Sequence, residues 1–396
     1  MKHNVQAFHS IHKIVYIKRL LNISLQFKQD GGSLLKALIL AGGFGTRLRP
    51  ISCTRPKILF PIINKPLLQW IFERLIKNNI DEAILAVNYQ TEVYIKQHKI
   101  PRYELKIKYS RDPINKPLGT GGSIKKAEKL LGDNSPFLVL NGDIFADLNY
   151  TEILKRHEEK KAVATIALCK VKDPSRYGVA ELAENNRIKR FIEKPPLKDA
   201  PTNLINAGVY VLSPKIFSYI PKGRSVSIEH EIFPKLADEG KLYGHIMKGL
   251  WIDIGKPEEY LEINRILLDS FENKQERKTL EKVEVKSPAI FDKNVVIREK
   301  SVIGPHVVLG RTVVIGKNVH IKDSVIFPRV TIGDFSSING AIIGEGVTIG
   351  ERVKIEKGCI IGDFAKIRKN VSLTQNVSVC PAEEISESAL TPKHII

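Results

Sequence analysis

Apolar residues along this chain follow two different rhythms. From Lys36 to about Leu268, short aliphatic runs alternate with amphipathic segments. The runs KALILA, EAILAV, KIKYS, FLVLNGD, AVATIALCKV and AGVYVLS have the length and β-branched content of strands. Between the first two, PLLQWIFERLIKNN places Leu68, Ile71, Phe72, Leu75 and Ile76 on one face, which predicts a helix. GSIKKAEKLLG and YTEILKRHEEKK read as helices as well. Strands that are apolar throughout and separated by helices predict a mostly parallel sheet covered on both faces, an α/β domain. In such a sheet a ligand sits beyond the carboxyl ends of the strands.

A charged segment, SFENKQERKTLEKVEVKSP, ends that rhythm, and a repeat of six begins. Ile297, Ile303, Leu309, Ile315, Ile321 and Phe327 follow one another at that spacing; Ile332 and Ile338 follow after a slip of one residue. After a second slip come Ile343, Ile349, Ile355, Ile361 and Ile367. Gly304, Gly310, Gly316, Gly333, Gly344, Gly350 and Gly362 directly follow most of these positions. Neither an α-helix nor a hairpin sheet repeats every six residues. A β-helix does, each hexapeptide forming one side of a coil with its aliphatic residue on the axis. The preferred role for such a domain is scaffold or oligomerisation surface. The expected fold is therefore a Rossmann-like, mostly parallel sheet followed by a left-handed parallel β-helix of hexapeptide repeats. The expected bounds are 36–268 for the first domain, 269–288 for a linker, 289–380 for the β-helix and 381–396 for a tail.

Composition narrows the function. Hydrophobic and charged fractions of 43% and 27% are those of a globular protein, but the net charge is +19. No zinc-finger spacing, aromatic RNA-binding signature or dense basic block accompanies that charge, so polyanionic small molecules are better partners for it than nucleic acid. The four cysteines, Cys53, Cys169, Cys359 and Cys380, are scattered, which argues against a zinc site or disulfide scaffold and fits a cytoplasmic protein. No apolar run approaches the length of a membrane span. Residues 1–35 mix Lys and Arg with aliphatics and lack a signal-peptide core; they are taken as an extension outside the fold, with a membrane-surface helix as the minority reading.

The first strand runs into KALILAGGFGTRLRP, three glycines within four residues and then Arg47 and Arg49. This is not a Walker loop, and as a dinucleotide fingerprint it has Leu48 where the third glycine belongs. What remains is a backbone cradle from Gly42 to Thr46 that suits an anion, with Arg47 and Lys57 to neutralise it. Read alone, Asp143 in NGD is a turn residue and Lys194 a surface lysine before two prolines.

Taken together, LAGGFGTRLRPISCTRPK, PLGTGG (117–122), VLNGD (139–143), YGV (177–179), EKPP (193–196), NAGVY (206–210) and WIDIG (251–255) stand in an order that resembles the sugar-1-phosphate nucleotidyltransferases. EKPP, SIEHEIFP and SSINGAIIG look most like the mannose-1-phosphate guanylyltransferase branch. The resemblance spans residues 36 to about 375. It implies a Mg²⁺-dependent attack of a sugar 1-phosphate on the α-phosphorus of a nucleoside triphosphate, catalysed mainly by positioning and charge neutralisation. Under it, Arg47 and Lys57 hold the triphosphate and the departing pyrophosphate, and Asp143 and Asp253 bind the metal. Leu40, Ala41, Gly42, Gly43, Gly45, Thr46, Asn88, Gly119 and Thr120 line the nucleotide. Lys194 clamps the sugar phosphate, Glu193 accepts from sugar hydroxyls, and Gly178, Asn206 and Gly208 line the sugar pocket. GTP with mannose 1-phosphate is the expected pair, a glucose-1-phosphate enzyme using UTP, dTTP or ATP the alternative, and a homo-oligomer through the β-helix is a compatible assembly.

Two other readings compete. A β-helix of this kind can carry acetyl transfer, but His306 and His320 stand at different phases of the repeat and neither has a supporting group in the sequence. Regulatory subunits of a translation-initiation nucleotide-exchange factor resemble the same two-domain plan. They have no need of Arg47, Lys57, Asp143, Lys194 and Asp253 together, and all five are present.

Overall fold

A computed structural model describes residues 35–271 and 282–395, apart from Phe44, Lys99, residues 102–103, residues 114–116 and Asp133. The N-terminal extension therefore lies outside the described residues except for Leu35.

The first domain is built on a nine-stranded sheet. Phe137–Asn141, Lys36–Leu40, Glu82–Val87 and Lys106–Arg111 lie side by side in that order, all parallel. Successive residues of one strand feed opposite cores. Ala37 and Ile39 enter the cluster with Phe72 and Leu75, while Leu38 joins Ile124 and Phe233 on the other face. That two-sided burial is why these strands are apolar throughout. The helix Leu67–Lys77 covers one face, burying Leu67, Leu68, Ile71, Phe72 and Leu75.

The remaining strands pair mostly antiparallel, apart from Leu242–Ile246, which runs parallel to Ala164–Lys170. Leu204–Leu212 pairs antiparallel with Phe137–Asn141 and with Ala164–Lys170, and Gly178–Leu182 pairs with Ile188–Glu193. Three of these strands, GVAEL, IKRFIE and LYGHI, escape a search for apolar runs. Ile188–Glu193 alternates irregularly between buried Ile188 and Phe191 and exposed Lys189 and Arg190, as an edge strand does.

The second domain has three parallel sheets of six, seven and six short strands, the architecture of a parallel β-helix. Aliphatic residues stack coil upon coil. Ile303, Ile321, Ile338, Ile355 and Leu373 form one rung, Ile297, Ile315, Ile332, Ile349, Ile367 and Ile385 another. Phe327 is a correction to the hexapeptide register. In the third rung it is Ile326 that stacks between Leu309 and Ile343. Phe327 faces outward instead, meeting Phe60 and Tyr260 of the first domain at centroid distances of 6.5 and 6.3 Å. The shortened repeat falls one repeat earlier than the aliphatic spacing suggested, between Ile321 and Ile326, because Phe327 is apolar for the sake of a second interface. Regular structure also reaches beyond the expected segment bounds. The helix Pro257–Phe271 passes residue 268, the strand Glu284–Val285 stacks under Val302–Ile303, and Glu384–Ile385 and His394–Ile395 continue the coils at the C-terminal end.

One outer face of the β-helix is apolar. Val308, Val325, Ile342 and Ile360 point away from the coil axis, are at most 6% exposed, and belong to the same core as Phe60, Leu68 and Tyr260. The equivalent outward positions on another sheet are Val314, Thr331, Thr348 and Lys366, the last three exposed. The domains thus share a hydrophobic seam rather than a tether.

Candidate active site

The chain just after the glycine loop feeds the same core as the seam, through Leu48, Ile51 and Ile58. After Lys36–Leu40 the chain passes Gly45 in a left-handed conformation (φ 59°) that an L side chain adopts with strain, and enters a 3₁₀ turn at Thr46–Leu48. The Ser52 hydroxyl donates to the Gly45 carbonyl at 2.8 Å and closes the loop on itself. After another 3₁₀ turn at Ile51–Cys53, a third, Lys57–Leu59, starts after Pro56 and buries Lys57 to 9% exposure.

Lys57 is placed between two carboxylates. Its Nζ is 2.9 Å from Asp143 Oδ2 and 4.0 Å from Asp253 Oδ1. The carboxylates are brought side by side by a two-stranded ribbon in which Asp253 pairs with Ile144, the residue after Asp143, and Ile254 donates its amide to the Asp143 carbonyl at 3.0 Å. Burial, and next the neighbouring Asp143 charge, push the Asp253 carboxyl up from its ordinary range. Arg47 reaches the same place from the other side; a side chain at Gly255 would stand 3.3 Å from its guanidinium nitrogens. Two carboxylates beside two cations form a donor set that fits a hard divalent ion completed by phosphate oxygens, which takes few protein ligands.

Lys57, Asp143 and Arg47 line one end of a cavity of about 470 Å³. Leu40, Ala41, Gly42, Gly43, Gly45 and Thr46 form its floor, and Asn88, Gly119 and Thr120 lie at the far end, so the expected nucleotide residues are gathered in one place. Their side chains are partly committed to structure. Asn88 caps the helix Tyr89–Gln97 by accepting from the Thr91 amide at 2.8 Å. Thr120 donates to Glu229 at 2.6 Å and accepts from the Ile228 amide at 3.0 Å. Gly119 has φ 69°, and a Cβ there would lie 2.5 Å from the Val226 carbonyl oxygen, so this loop is held against the residue just before the segment SIEHEIFP.

The expected sugar-side residues form a neighbouring group outside that cavity. Gly178 pairs with Glu193 across two strands, and a Cβ at Gly178 would come within 2.7 Å of Glu193 Oε2. Glu193 is lifted in pKa by burial and then by Glu229, and its Oε2 is buried without a hydrogen-bond partner among the described residues. Lys194 is largely exposed, with Nζ 3.4 Å from Glu193. Asn206 donates to the Tyr210 hydroxyl at 3.0 Å and accepts from the Gly208 amide at 2.9 Å, which fixes the turn between them.

With that geometry in view, the comparisons with known proteins are direct. Residues 36–270 match the nucleotidyl transferase family, and residues 285–395 match the GMPPB C-terminal domain. The chain belongs to the nucleotidyl transferase family. It is 36% identical over 365 residues to mannose-1-phosphate guanylyltransferase 1 of Arabidopsis thaliana, covering 91% of this chain and all of that one. The beta catalytic subunit of mannose-1-phosphate guanylyltransferase from Danio rerio is also 36% identical, again over 91% of this chain and all of its own. Among solved structures, HddC from Yersinia pseudotuberculosis matches with 32% identity and a TM-score of 0.51 over 59% of this chain and 99% of its own. A UDP-glucose pyrophosphorylase complexed with UDP-glucose matches at 26% identity and a TM-score of 0.53, over 60% of this chain and all of its own.

Several residues around this nucleotidyl transferase site have no role assigned to them by sequence. Glu259 accepts from the Gly255 and Lys256 amides at 2.9 and 2.8 Å and from Arg176 at 2.8 Å, and so shapes the turn after Asp253. Asp112 and Asn141 line the cavity. Arg55 leaves the glycine loop altogether and enters the β-helix, where it meets Glu345 and Asp363 at 2.6 Å each. Only the apolar outward column of the repeat could have hinted at a docked β-helix. His306 is spent at the same seam, its Nε2 2.9 Å from Asp269 and its Nδ1 3.3 Å from Asp323, and the mannose-1-phosphate guanylyltransferase relatives do not favour the acetyltransferase or exchange-factor readings.

Proposed function

We propose that the chain transfers a guanylyl group from GTP to mannose 1-phosphate, giving GDP-mannose and pyrophosphate. The observation that carries this reading is Lys57 held between Asp143 and Asp253 at the phosphate end of the cavity, in a chain 36% identical over its length to named mannose-1-phosphate guanylyltransferases.

In this reaction a phosphate oxygen of the sugar 1-phosphate forms a bond to the α-phosphorus, and the bond from that phosphorus to the α,β-bridging oxygen breaks. The electron pair leaves with pyrophosphate. Negative charge crowds the centre, so rate comes from neutralising groups already in place. Amides of the Gly42–Thr46 loop hold phosphate oxygens, Arg47 faces the departing pyrophosphate, and Lys57 bridges towards the α-phosphate. A divalent cation, Mg²⁺ in this proposal, would be held by Asp143 and Asp253 with phosphate oxygens and would supply further neutralisation when bound. Lys194 pairs with the incoming sugar phosphate. Glu193 Oε2, a buried acceptor without a donor among the described residues, takes sugar hydroxyls.

The test is pyrophosphate release with Mg²⁺ across a grid of nucleoside triphosphates and sugar 1-phosphates, with Lys57→Ala and Asp143→Ala as controls. Release with GTP and mannose 1-phosphate that both substitutions abolish is the expected result. Release with a different pair retains the chemistry and rejects the substrates, and a folded protein inert with every pair rejects the function.

A further inference from the structure

Two of the four cysteines are sealed inside the protein and two are not. Cys169 and Cys359 are buried. Burial pushes the Cys169 thiol up to about 12 and raises Cys359 as well, whose Sγ donates to the Thr374 carbonyl at 2.7 Å. Cys53 is exposed and Cys380 half-buried. These two belong to different domains, yet they meet at one corner of the seam.

Cys53 ends the 3₁₀ turn Ile51–Cys53, and the next residue, Thr54, donates its hydroxyl to the Asp363 carboxylate of the β-helix at 2.5 Å. Arg55 grips the same carboxylate at 2.6 Å, so residues 53–55 run along this edge of the coil. Cys380 stands on the adjoining coil. The Gly362 amide donates to the Val379 carbonyl at 2.8 Å, and the Ala382 amide to the Asp363 carbonyl at 2.8 Å. A Cβ at Gly362 would lie 2.8 Å from the Cys380 carbonyl carbon. Cys380 is thus stacked on Gly362, the residue before Asp363, and Cys53 is the residue before Thr54. The hydrogen bond from Thr54 to Asp363 makes neighbours of the two cysteines. Their closeness has an electrostatic trace: burial raises the Cys380 thiol first, the Cys53 charge next and Glu383 after it, with Arg49 opposing them.

We propose that Cys53 and Cys380 form a dithiol that a hydroperoxide converts into a disulfide between the domains. The exposed Cys53 meets the oxidant. Its thiolate sulfur bonds to one peroxide oxygen, the O–O bond breaks, and the other oxygen takes a proton and leaves as water or an alcohol. The Cys380 thiolate then attacks the Cys53 sulfenic acid. The S–S bond forms, the S–O bond breaks, and hydroxide leaves as water with the proton that Cys380 gave up. The two sulfurs together lose the two electrons that the peroxide gains. A disulfide at this surface is open to a dithiol reductant, which reverses it. Its effect is to fasten a segment that matters: Ser52, beside Cys53, closes the glycine loop on Gly45, and Lys57 follows four residues later.

The experiment treats the full chain with stoichiometric hydrogen peroxide, counts alkylatable thiols, maps tryptic peptides without reduction and records thermal melts. Wild type should lose two thiols and yield the Cys53 and Cys380 peptides joined, and dithiothreitol should undo both changes. The oxidised protein should melt at least about 4 °C above the reduced one. Cys380→Ser should let Cys53 run on to sulfinic acid, Cys53→Ser should leave Cys380 alkylatable, and neither should show the melting shift. A wild type in which neither thiol reacts, or in which Cys53 is overoxidised or bridged to a second molecule while Cys380 stays free, overturns the pair whatever the variants do. A disulfide from either thiol to Cys169 or Cys359 overturns it too. A Cys53–Cys380 bond that leaves the melting temperature unchanged overturns the fastening of the seam. These readouts are independent of which substrates the enzyme uses, so they stand or fall apart from guanylyl transfer.

Discussion

Removing Arg55 should weaken the protein in two separable ways. Its side chain is 10% exposed, and one guanidinium nitrogen lies 2.6 Å from both Glu345 and Asp363 across the seam, with the Phe327 ring 5.0 Å away. Burial opposes the charge, but Asp363 and then Glu345 outweigh that and raise its pKa. Breaking a buried pair by deleting one partner costs about 3–5 kcal/mol, because the other charge stays buried. Here the residual anions keep some support. Asp363 retains the Thr54 hydroxyl at 2.5 Å and the Glu345 amide at 2.7 Å, and Glu345 retains Arg329 at 2.7 Å. The lower end of the range, about 3 kcal/mol, is therefore expected for Arg55→Ala. At roughly 2–4 °C per kcal/mol this is a melting shift of about 6–12 °C. The second effect is catalytic. Lys57 lies two residues after Arg55, so freeing the loop lets it drift from Asp143, and a displacement near 1 Å can cost about a hundredfold. Thermal denaturation and kcat for pyrophosphate release at 20 °C measure the two. A variant that melts within about 2 °C of wild type and keeps its kcat would refute the view that the β-helix holds this loop, since each effect requires a buried, functional clamp.

Other substitutions probe the rest of the argument. Lys57→Ala should lower kcat by about 10²–10³, read as pyrophosphate release, because a preorganised cation is lost where charge develops; a loss below about fivefold would remove Lys57 from the chemistry. Val325→Asp places a charge on the 3%-exposed outer face against the first domain and should destabilise by several kcal/mol. Thr331→Asp, outward on another sheet, should stay within about 0.5 kcal/mol, and equal effects in denaturant titrations would dismiss the shared seam. Glu92 is held at about 2, chiefly by its hydrogen bond from Arg111. A depressed carboxylate contributes stability above its unfolded value near 4.5 and loses it as pH falls towards 2, so Glu92→Gln should be less stable than wild type at pH 7. That gap should narrow between about pH 4.5 and 2, and a gap independent of pH in thermal melts would contradict the pairing.

The parts of this protein legible in sequence are those where one physical demand repeats. Both-face burial makes Lys36–Leu40 and Phe137–Asn141 unmistakably apolar, and the axial position of the β-helix demands an aliphatic residue at almost every sixth place. The glycine loop and the charged residues after it were legible for a related reason: backbone close to an anion tolerates few residue types. Residues answering to two demands at once were misread or passed over. Phe327 satisfied the repeat by chemistry while belonging to the seam, and Val308, Val325, Ile342 and Ile360 took meaning only once the coils showed which side they shared. Asp112 and Ser123 are 11 positions apart, on either side of PLGTGG rather than within it, and Arg55 finds its partners 290 and 308 residues away. Local pattern records what each residue needs from its immediate backbone and its own face. Which distant groups meet is decided by the crossing of strands and the docking of one domain on the other. Those are properties of the folded chain, because long-range contacts are selected by packing of whole faces rather than by any short run of residues.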